Sequence, residues 1–275
     1  MLDSNISNMD SFIVFGQPSI TQEDIQAVGD TMKTRWIGYG PKSREFEALF
    51  SKHTNRKHAI ALNSCTSALF LSLKFSGVGH GDEVITTAIT FAGVANTIIH
   101  AGGTPVFVDV DPVTHNTTAE IIAKAITPKT RAIIIVHLAG RPCEMDDIVR
   151  LARDRNCVLI EDCAHAIEAT YKGKPCGSFG DFACYSFYPN KNITTGEGGM
   201  LVLDDDMSAA KARVLSLHGL SKDASRRFDK NHRNFYEVEE HGYKMNMNDM
   251  AAALGVSQYK RLSIMRARRE LIWKS

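Results

Sequence analysis

From residue 59 to residue 203 the chain alternates short apolar runs with amphipathic stretches, and this rhythm constrains the fold more than any single motif. Ala59-Ile60-Ala61-Leu62, Val84-Ile85-Thr86-Thr87, Val106-Phe107-Val108, Ala132 to Val136, Cys157-Val158-Leu159-Ile160, Phe182 to Phe187 and Met200-Leu201-Val202-Leu203 read as strands. They are short and continuously apolar, the pattern of strands covered on both faces. Helical patterns lie between them: Ala68, Leu69, Leu71 and Leu73; a stretch after Phe91; Ile121, Ile122, Ala125 and Ile126; and Ile148, Val149, Leu151 and Ala152. A chain of this kind builds an α/β domain, a mostly parallel central sheet flanked by helices in three α/β/α layers. Thr21 to Asp24 and Thr117 to Glu120 have the form of capping boxes. Ser221 to Glu240 is highly charged and reads as loop. One long helix is expected from about Asn248 toward the end of the chain.

In such sheets ligands gather at the carboxyl ends of the strands. Four such ends carry chemically suggestive residues. Lys191 lies in the stretch Ser186 to Gly199 between two buried strands, where desolvation would lower an amine's pKa and free a carbonyl-trapping nucleophile. The bland alternative is a lysine that reaches to water. Asn63-Ser64-Cys65-Thr66-Ser67 joins a strand to a helix, so its backbone N–H groups can cradle an anion; an ordinary N-cap by Ser64 or Thr66 is the competing reading. Asp162, at the end of a buried strand, can pair with a heterocyclic N–H⁺, and His165 can donate to the same ligand. Against these stand a helix cap, a satisfied core histidine and a metal pair, the last lacking a third ligand at a suggestive spacing. Phe91 can stack on a flat ring or fill core. Arg226, Arg227, Lys230 and Arg233 read as a solvated loop face, with contact to a phosphorylated ligand as the minority reading. Taken together, the amine of Lys191, the acid of Asp162, the ring face of Phe91 and a phosphate cradle from Cys65, Thr66 and Ser186 are what pyridoxal phosphate chemistry requires.

Composition narrows the classes. A formal net charge of +1 over 275 residues gives no global attraction to nucleic acid or acidic membranes. The sequence has no run of about 20 apolar residues and no apolar signal core in Met1 to Asp10, so a cytoplasmic protein is expected. The six cysteines include no Cys-x-x-Cys pair and fit reduced core thiols, with no metal site expected.

The sequence resembles the DegT/StrS-type nucleotide-sugar aminotransferases, pyridoxal phosphate enzymes of fold type I, from about Phe12 to Arg269. The matching stretches are Trp36 to Pro41, Asn63 to Leu69, Glu161 to Ala166, Gly177 to Asp181, Ser186 to Gly199, His218-Gly219 and Gly242 to Asn246. The resemblance implies that Lys191 is the Schiff-base lysine and proton carrier. Asp162 would pair with the ring nitrogen, His165 lie near the ring hydroxyl and Phe91 cover the ring. Cys65, Thr66 and Ser186 would hold the phosphate. It further implies that Asn246 reaches the phosphate site of a neighbouring subunit in a homodimer, and that Trp36 to Pro41 lies near the sugar. Position 65 is cysteine where the family usually has glycine. Members continue for about a hundred further residues as a small C-terminal domain. The expected division is therefore an arm at 1–20, a cofactor-binding domain at 21–247, and the start of an interdomain helix and a truncated C-terminal domain at 248–275. The implied activity is amination of a nucleotide-linked keto sugar by a donor such as L-glutamate, with no nucleic-acid or membrane partner. The alternatives are a non-catalytic or regulatory member of the same fold, or a sugar dehydratase. Lys191 argues against the dehydratase, whose relatives carry histidine there.

Overall fold

A computed structural model describes residues 14, 16–221 and 237–275. The expected arm at 1–20, the charged segment Ser221 to Glu240 and the Arg226–Arg233 run therefore lie largely or wholly outside the described residues. The apolar runs form one seven-stranded sheet in the order β1-β9-β8-β5-β4-β2-β3. Its strands are β1 (His58–Leu62), β2 (Glu83–Thr87), β3 (Thr104–Val108), β4 (Thr130–Val136), β5 (Val158–Asp162), β8 (Phe182–Ser186) and β9 (Gly199–Leu203). Strand β9 runs antiparallel to both β1 and β8, and every other pairing is parallel. The ends of β1, β2, β4, β5 and β8 consequently share one edge. Strand β3 is the outer strand beside β2, and Pro105 fits there because an edge position can spare an N–H. A two-stranded hairpin, β6 (Thr170–Tyr171) and β7 (Lys174–Pro175), turns through Lys172 and Gly173, both at positive φ.

Alternate residues of each strand feed different layers. Ile60 and Leu62 of β1, with Leu201 and Leu203 of β9, meet α3 (Cys65–Phe75), α4 (Ala92–His100) and α7 (Asp206–Leu215). Ala59 and Ala61, with Met200 and Val202, face α2 (Pro41–Thr54) and α8 (Asp249–Lys260). Farther along that second face, Ile133 and Ile135 pack with α5 (Ala119–Ala125) and α6 (Met145–Asp154). Helix α1 (Gln22–Lys33) packs on α8.

Two expectations change. The N-cap of α5 is Thr118, whose hydroxyl accepts the Ile121 N–H at 3.3 Å. The predicted Thr117 lies outside the helix, because the first turn starts at Ala119. The single C-terminal helix is two, α8 and α9 (Leu262–Lys274), parted at Arg261, whose φ and ψ are −101° and 1°. At this break the Arg261 guanidinium holds Asp24 of α1 at 2.6 Å and the Ser19 carbonyl at 3.0 Å. The start of α8 is as expected, with Asn248 capping the Ala251 N–H at 2.9 Å.

Candidate active site

Lys191 occupies a loop clamped at its base. The Phe187 N–H donates to the Gly198 carbonyl, and the Phe187 carbonyl accepts from the Thr195 N–H and the Thr194 hydroxyl, both at 2.9 Å. The Phe187 ring is fully buried against Phe46 and Phe50, with centroids 5.0 and 5.2 Å away. An apolar cluster thus fixes the polar loop. Beyond it, Gly199 opens β9 where the β1–α3 turn crosses. A Cβ there would stand 2.2 Å from the Ser64 carbonyl carbon and 2.4 Å from the Cys65 nitrogen, so only glycine permits the approach.

That close approach delivers the first turn of α3 to the same sheet edge. Ser64 is an N-cap, accepting the Ser67 N–H at 3.1 Å. The bland reading of this motif holds, and it leaves room for the functional one. The cap satisfies Ser67 and leaves the N–H groups of Cys65 and Thr66 without partners among the described residues. Both residues line a cavity of about 680 Å³, together with Asp162, His165, Ser186 and Lys191. Phe91 stands at its rim, 78% exposed, beside the first turn of α3: a Cβ on Gly93 would meet its ring at 3.0 Å and the Thr66 hydroxyl at 3.3 Å.

The electrostatics of the cavity are set by burial. Asp162, 5% exposed, accepts one N–H, from Ala164 at 3.0 Å. Burial pushes its pKa above the usual carboxylate value, opposed by that N–H, by His137 and by Lys191. Burial likewise lowers the Lys191 amine, opposed by Asp162 and Cys65. The Cys65 thiol is raised well above its usual value by burial and by Asp162, so it stays protonated. His165 is partly exposed; its Nδ1 accepts the Ala139 N–H at 3.3 Å, and desolvation and Lys191 hold it below the usual histidine value. A carboxylate penalised by burial gains most from a cationic partner. An amine freed of its proton can attack a carbonyl. Open N–H groups at a helix N-terminus attract phosphate. The Thr90 hydroxyl oxygen, on the cavity wall, is buried without a partner among the described residues. Together these fit pyridoxal phosphate: an aldehyde for the amine, a basic ring nitrogen for the acid and a phosphate for the cradle.

Asn246 is the predicted site residue that this cavity does not include. It bridges to Leu62, accepts from Lys244 at 2.7 Å and donates to the Met247 carbonyl at 3.1 Å. The Trp36–Pro41 loop also stands apart from the Lys191 cavity of its own chain. Trp36 and Pro41 instead line a second hollow with α1 and α8. Tyr39 of that loop joins a polar cluster in which the Arg213 guanidinium donates to the Tyr39 hydroxyl at 2.9 Å and to Glu47 at 2.8 Å.

Sequence reasoning missed the residue beside Asp162. Glu161 is fully buried and accepts four donors: the N–H groups of Gly177, Phe179 and Gly180 at 2.7–2.8 Å and His137 Nε2 at 3.0 Å. His137 Nδ1 accepts the Cys143 N–H at 3.1 Å, so the ring's donor is Nε2, which faces Glu161. Glu161, His137 and Cys163 lie close enough to hold a metal ion. With both ring nitrogens and both carboxylate oxygens engaged, the group reads as structural. The signal available was an acid in an apolar strand, which burial tolerates only when it is fully hydrogen-bonded.

A lysine, a buried acid and an open helix N-terminus on one cavity, at the carboxyl edge of a mostly parallel sheet, define a pyridoxal phosphate site of fold type I. The sequence pattern of the DegT/DnrJ/EryC1/StrS aminotransferase family matches residues 18–275. The spore coat polysaccharide biosynthesis protein SpsC of Bacillus subtilis (strain 168) is 49% identical over 267 residues, covering 97% of this chain and 69% of that protein. The PLP-form of Spr1654 from Streptococcus pneumoniae superposes with a TM-score of 0.87 at 35% identity, over 95% of this chain and 70% of that one. Helicobacter pylori PseC, an aminotransferase involved in pseudoaminic acid biosynthesis, gives 0.86 at 30% identity, over 94% and 68%. The chain belongs to the DegT/DnrJ/EryC1/StrS aminotransferase family: it is a pyridoxal-phosphate-dependent sugar aminotransferase.

Proposed function

We propose that the chain aminates a keto sugar carried on a nucleotide, taking the nitrogen from L-glutamate, as a step in amino-sugar biosynthesis. The observation that carries this reading is the single cavity in which Lys191, Asp162 and the first turn of α3 meet. Bound there, pyridoxal phosphate supplies an aldehyde for exchanging nitrogen and an electron sink for the carbon that loses its proton. The cradle is the N–H groups of Cys65 and Thr66 with the Ser186 hydroxyl. Asp162 would keep the ring nitrogen protonated, Phe91 would cover the ring face and His165 would donate to the ring hydroxyl. Lys191 would take the proton from the substrate carbon and give one back to complete the transfer. Burial lowers its pKa, which favours the unprotonated amine that this exchange needs.

Asn246 serves the phosphate site of a second copy, which makes a homodimer the working unit; its place outside the cavity of its own chain supports this. Residues 21–247 form the cofactor-binding domain, and α8 packs against its helices α1 and α2. The six free thiols support a reducing, cytoplasmic setting. The names borne by SpsC and PseC support a sugar acceptor.

The test is the visible spectrum of the full chain purified with pyridoxal phosphate. The expected result is a bound-cofactor band that L-glutamate converts to the pyridoxamine form, and that a nucleotide-linked keto sugar restores. A chain that holds no cofactor, or a spectrum unchanged in Lys191→Ala, overturns the reading.

A further inference from the structure

The middle of the Lys191 loop is held by one side-chain hydrogen bond. Within residues 189–193, as far as the described residues show, it is the Asn192 amide donating to Glu168 Oε2 at 2.7 Å. The same oxygen accepts the Arg269 guanidinium of α9 at 2.5 Å. Glu168 is itself a fixed post. The carbonyl of its neighbour Ile167 accepts from His53 Nε2 of α2 at 2.6 Å, and the Tyr259 hydroxyl of α8 lies 3.2 Å from the other ring nitrogen of His53. On its other side the Ala169 N–H donates to Ala166 and the Ala169 carbonyl accepts from Cys176. The Glu168 side chain is 11% exposed, and its Oε1 is buried without a partner among the described residues. All its hydrogen bonds therefore converge on one oxygen. Losing either donor leaves a largely buried charge underpaired, so the two bonds support each other. The chain of contacts runs along a cavity of about 770 Å³ that opens on Lys191.

We propose that Glu168 is a positioning residue for Lys191, fixing the loop through Asn192 and making that hold depend on α9 through Arg269. The inference rests on Lys191 being the reactive amine. It assigns α9 a role in setting the geometry of an amine it does not carry.

The test is trace acylation of Lys191 by acetic anhydride in the cofactor-free full chain across pH, read by mass spectrometry. The titratable groups that share a cavity with Lys191 are Cys65, Asp162, His165, Tyr188 and Glu197 in one, and His165, Glu168, Arg266, Arg269, Glu270 and Lys274 in the other. Glu168→Ala and Asn192→Ala are expected to let the loop and its amine take up water. The labelling midpoint then rises toward that of an ordinary lysine, and labelling at neutral pH falls roughly tenfold. Glu168→Gln keeps an acceptor for Asn192 and is expected within about twofold of the native chain. Asn192→Ala and Arg269→Ala do not add when combined, because both act through one carboxylate. An effect of charge alone has the opposite sign: removing an anion near the amine lowers the midpoint in both the Ala and Gln variants. That result, additive effects, or a loss of thermal stability with unchanged labelling each overturns the proposal. If Glu168→Ala fails to fold, Asn192→Ala and Arg269→Ala decide it. Because no cofactor takes part, failure to bind pyridoxal phosphate would defeat the functional reading without altering the labelling, so the two failures are told apart.

Discussion

Glu161→Gln removes one charge and changes almost no volume, so its effect can be worked from the hydrogen bonds alone. Phe179 and Gly180 donate to Oε1, and Gly177 and His137 to Oε2. A glutamine presents an oxygen to one pair and an NH₂ to the other, in whichever orientation it sits. His137 cannot adapt by moving its proton, because its Nδ1 already faces the Cys143 N–H. Two buried donors are left unpaired at about 1–3 kcal/mol each, and relief of the charge's own desolvation brings the total to about 3 kcal/mol. In urea, with a slope of about 2–3 kcal/mol per molar, the unfolding midpoint falls by roughly 1 M at unchanged slope. The pH dependence supplies a second readout. His137 and the turn N–H groups hold the Glu161 pKa below its ordinary 4.5 against the opposing effect of burial. Its contribution is therefore present above the unfolded value and is lost as pH falls through the folded one. The gap between native and Glu161→Gln chains should be wide at neutral pH and close in acid. A midpoint shift under about 0.2 M, which that slope makes a small fraction of the expected cost, refutes the reasoning. So does a gap that stays constant into acid.

Three further outcomes follow from the site. Asp162→Asn should cut amino transfer by roughly a hundredfold or more, read as kcat/KM, while making the cofactor-free chain more stable at neutral pH. The native carboxyl has a raised folded pKa, so its favourable contribution is lost as pH rises through that value, and asparagine removes the resulting cost. Gly199→Ala must push the β1–α3 turn away from β9, costing roughly 1–3 kcal/mol in a denaturant titration and weakening inorganic phosphate binding as measured by calorimetry. Ser64→Ala should cost about 1 kcal/mol of stability in the same titration, the ordinary loss of an N-cap.

What was legible in the sequence was what short-range pattern can carry. Continuous apolar runs gave the strands, and strand ends placed Lys191, Asp162, Ser186 and the Cys65–Thr66 turn on one cavity, because a parallel sheet brings its carboxyl ends to one edge without further information. What stayed hidden depends on partners far apart in the chain. Glu161 finds His137 24 positions away. Asp249, at the start of α8, accepts the Lys42 and Ser43 N–H groups and the Ser43 hydroxyl at the N-terminus of α2, more than 200 positions away. The break at Arg261 coincides with its hold on Asp24, which no local periodicity records. The misplaced cap at Thr117 is a smaller miss of another kind: adjacent threonines offer the same hydroxyl, and backbone geometry chooses between them.

Strand β9 has a consequence beyond closing the sheet. Ser186 and Gly199 are paired rungs of one antiparallel ladder, as are Leu62 and Gly199 on the other side. The side chains of β9 belong alternately to the two cores, with Leu201 and Leu203 in one and Met200 and Val202 in the other. A slip of one residue would exchange the two sets and withdraw Gly199 from the turn it admits. The apolar packing of β9 is thus the ruler that measures the chemistry. The distance between a lysine loop and an anion cradle is held by four buried apolar side chains, none of which lines the cavity.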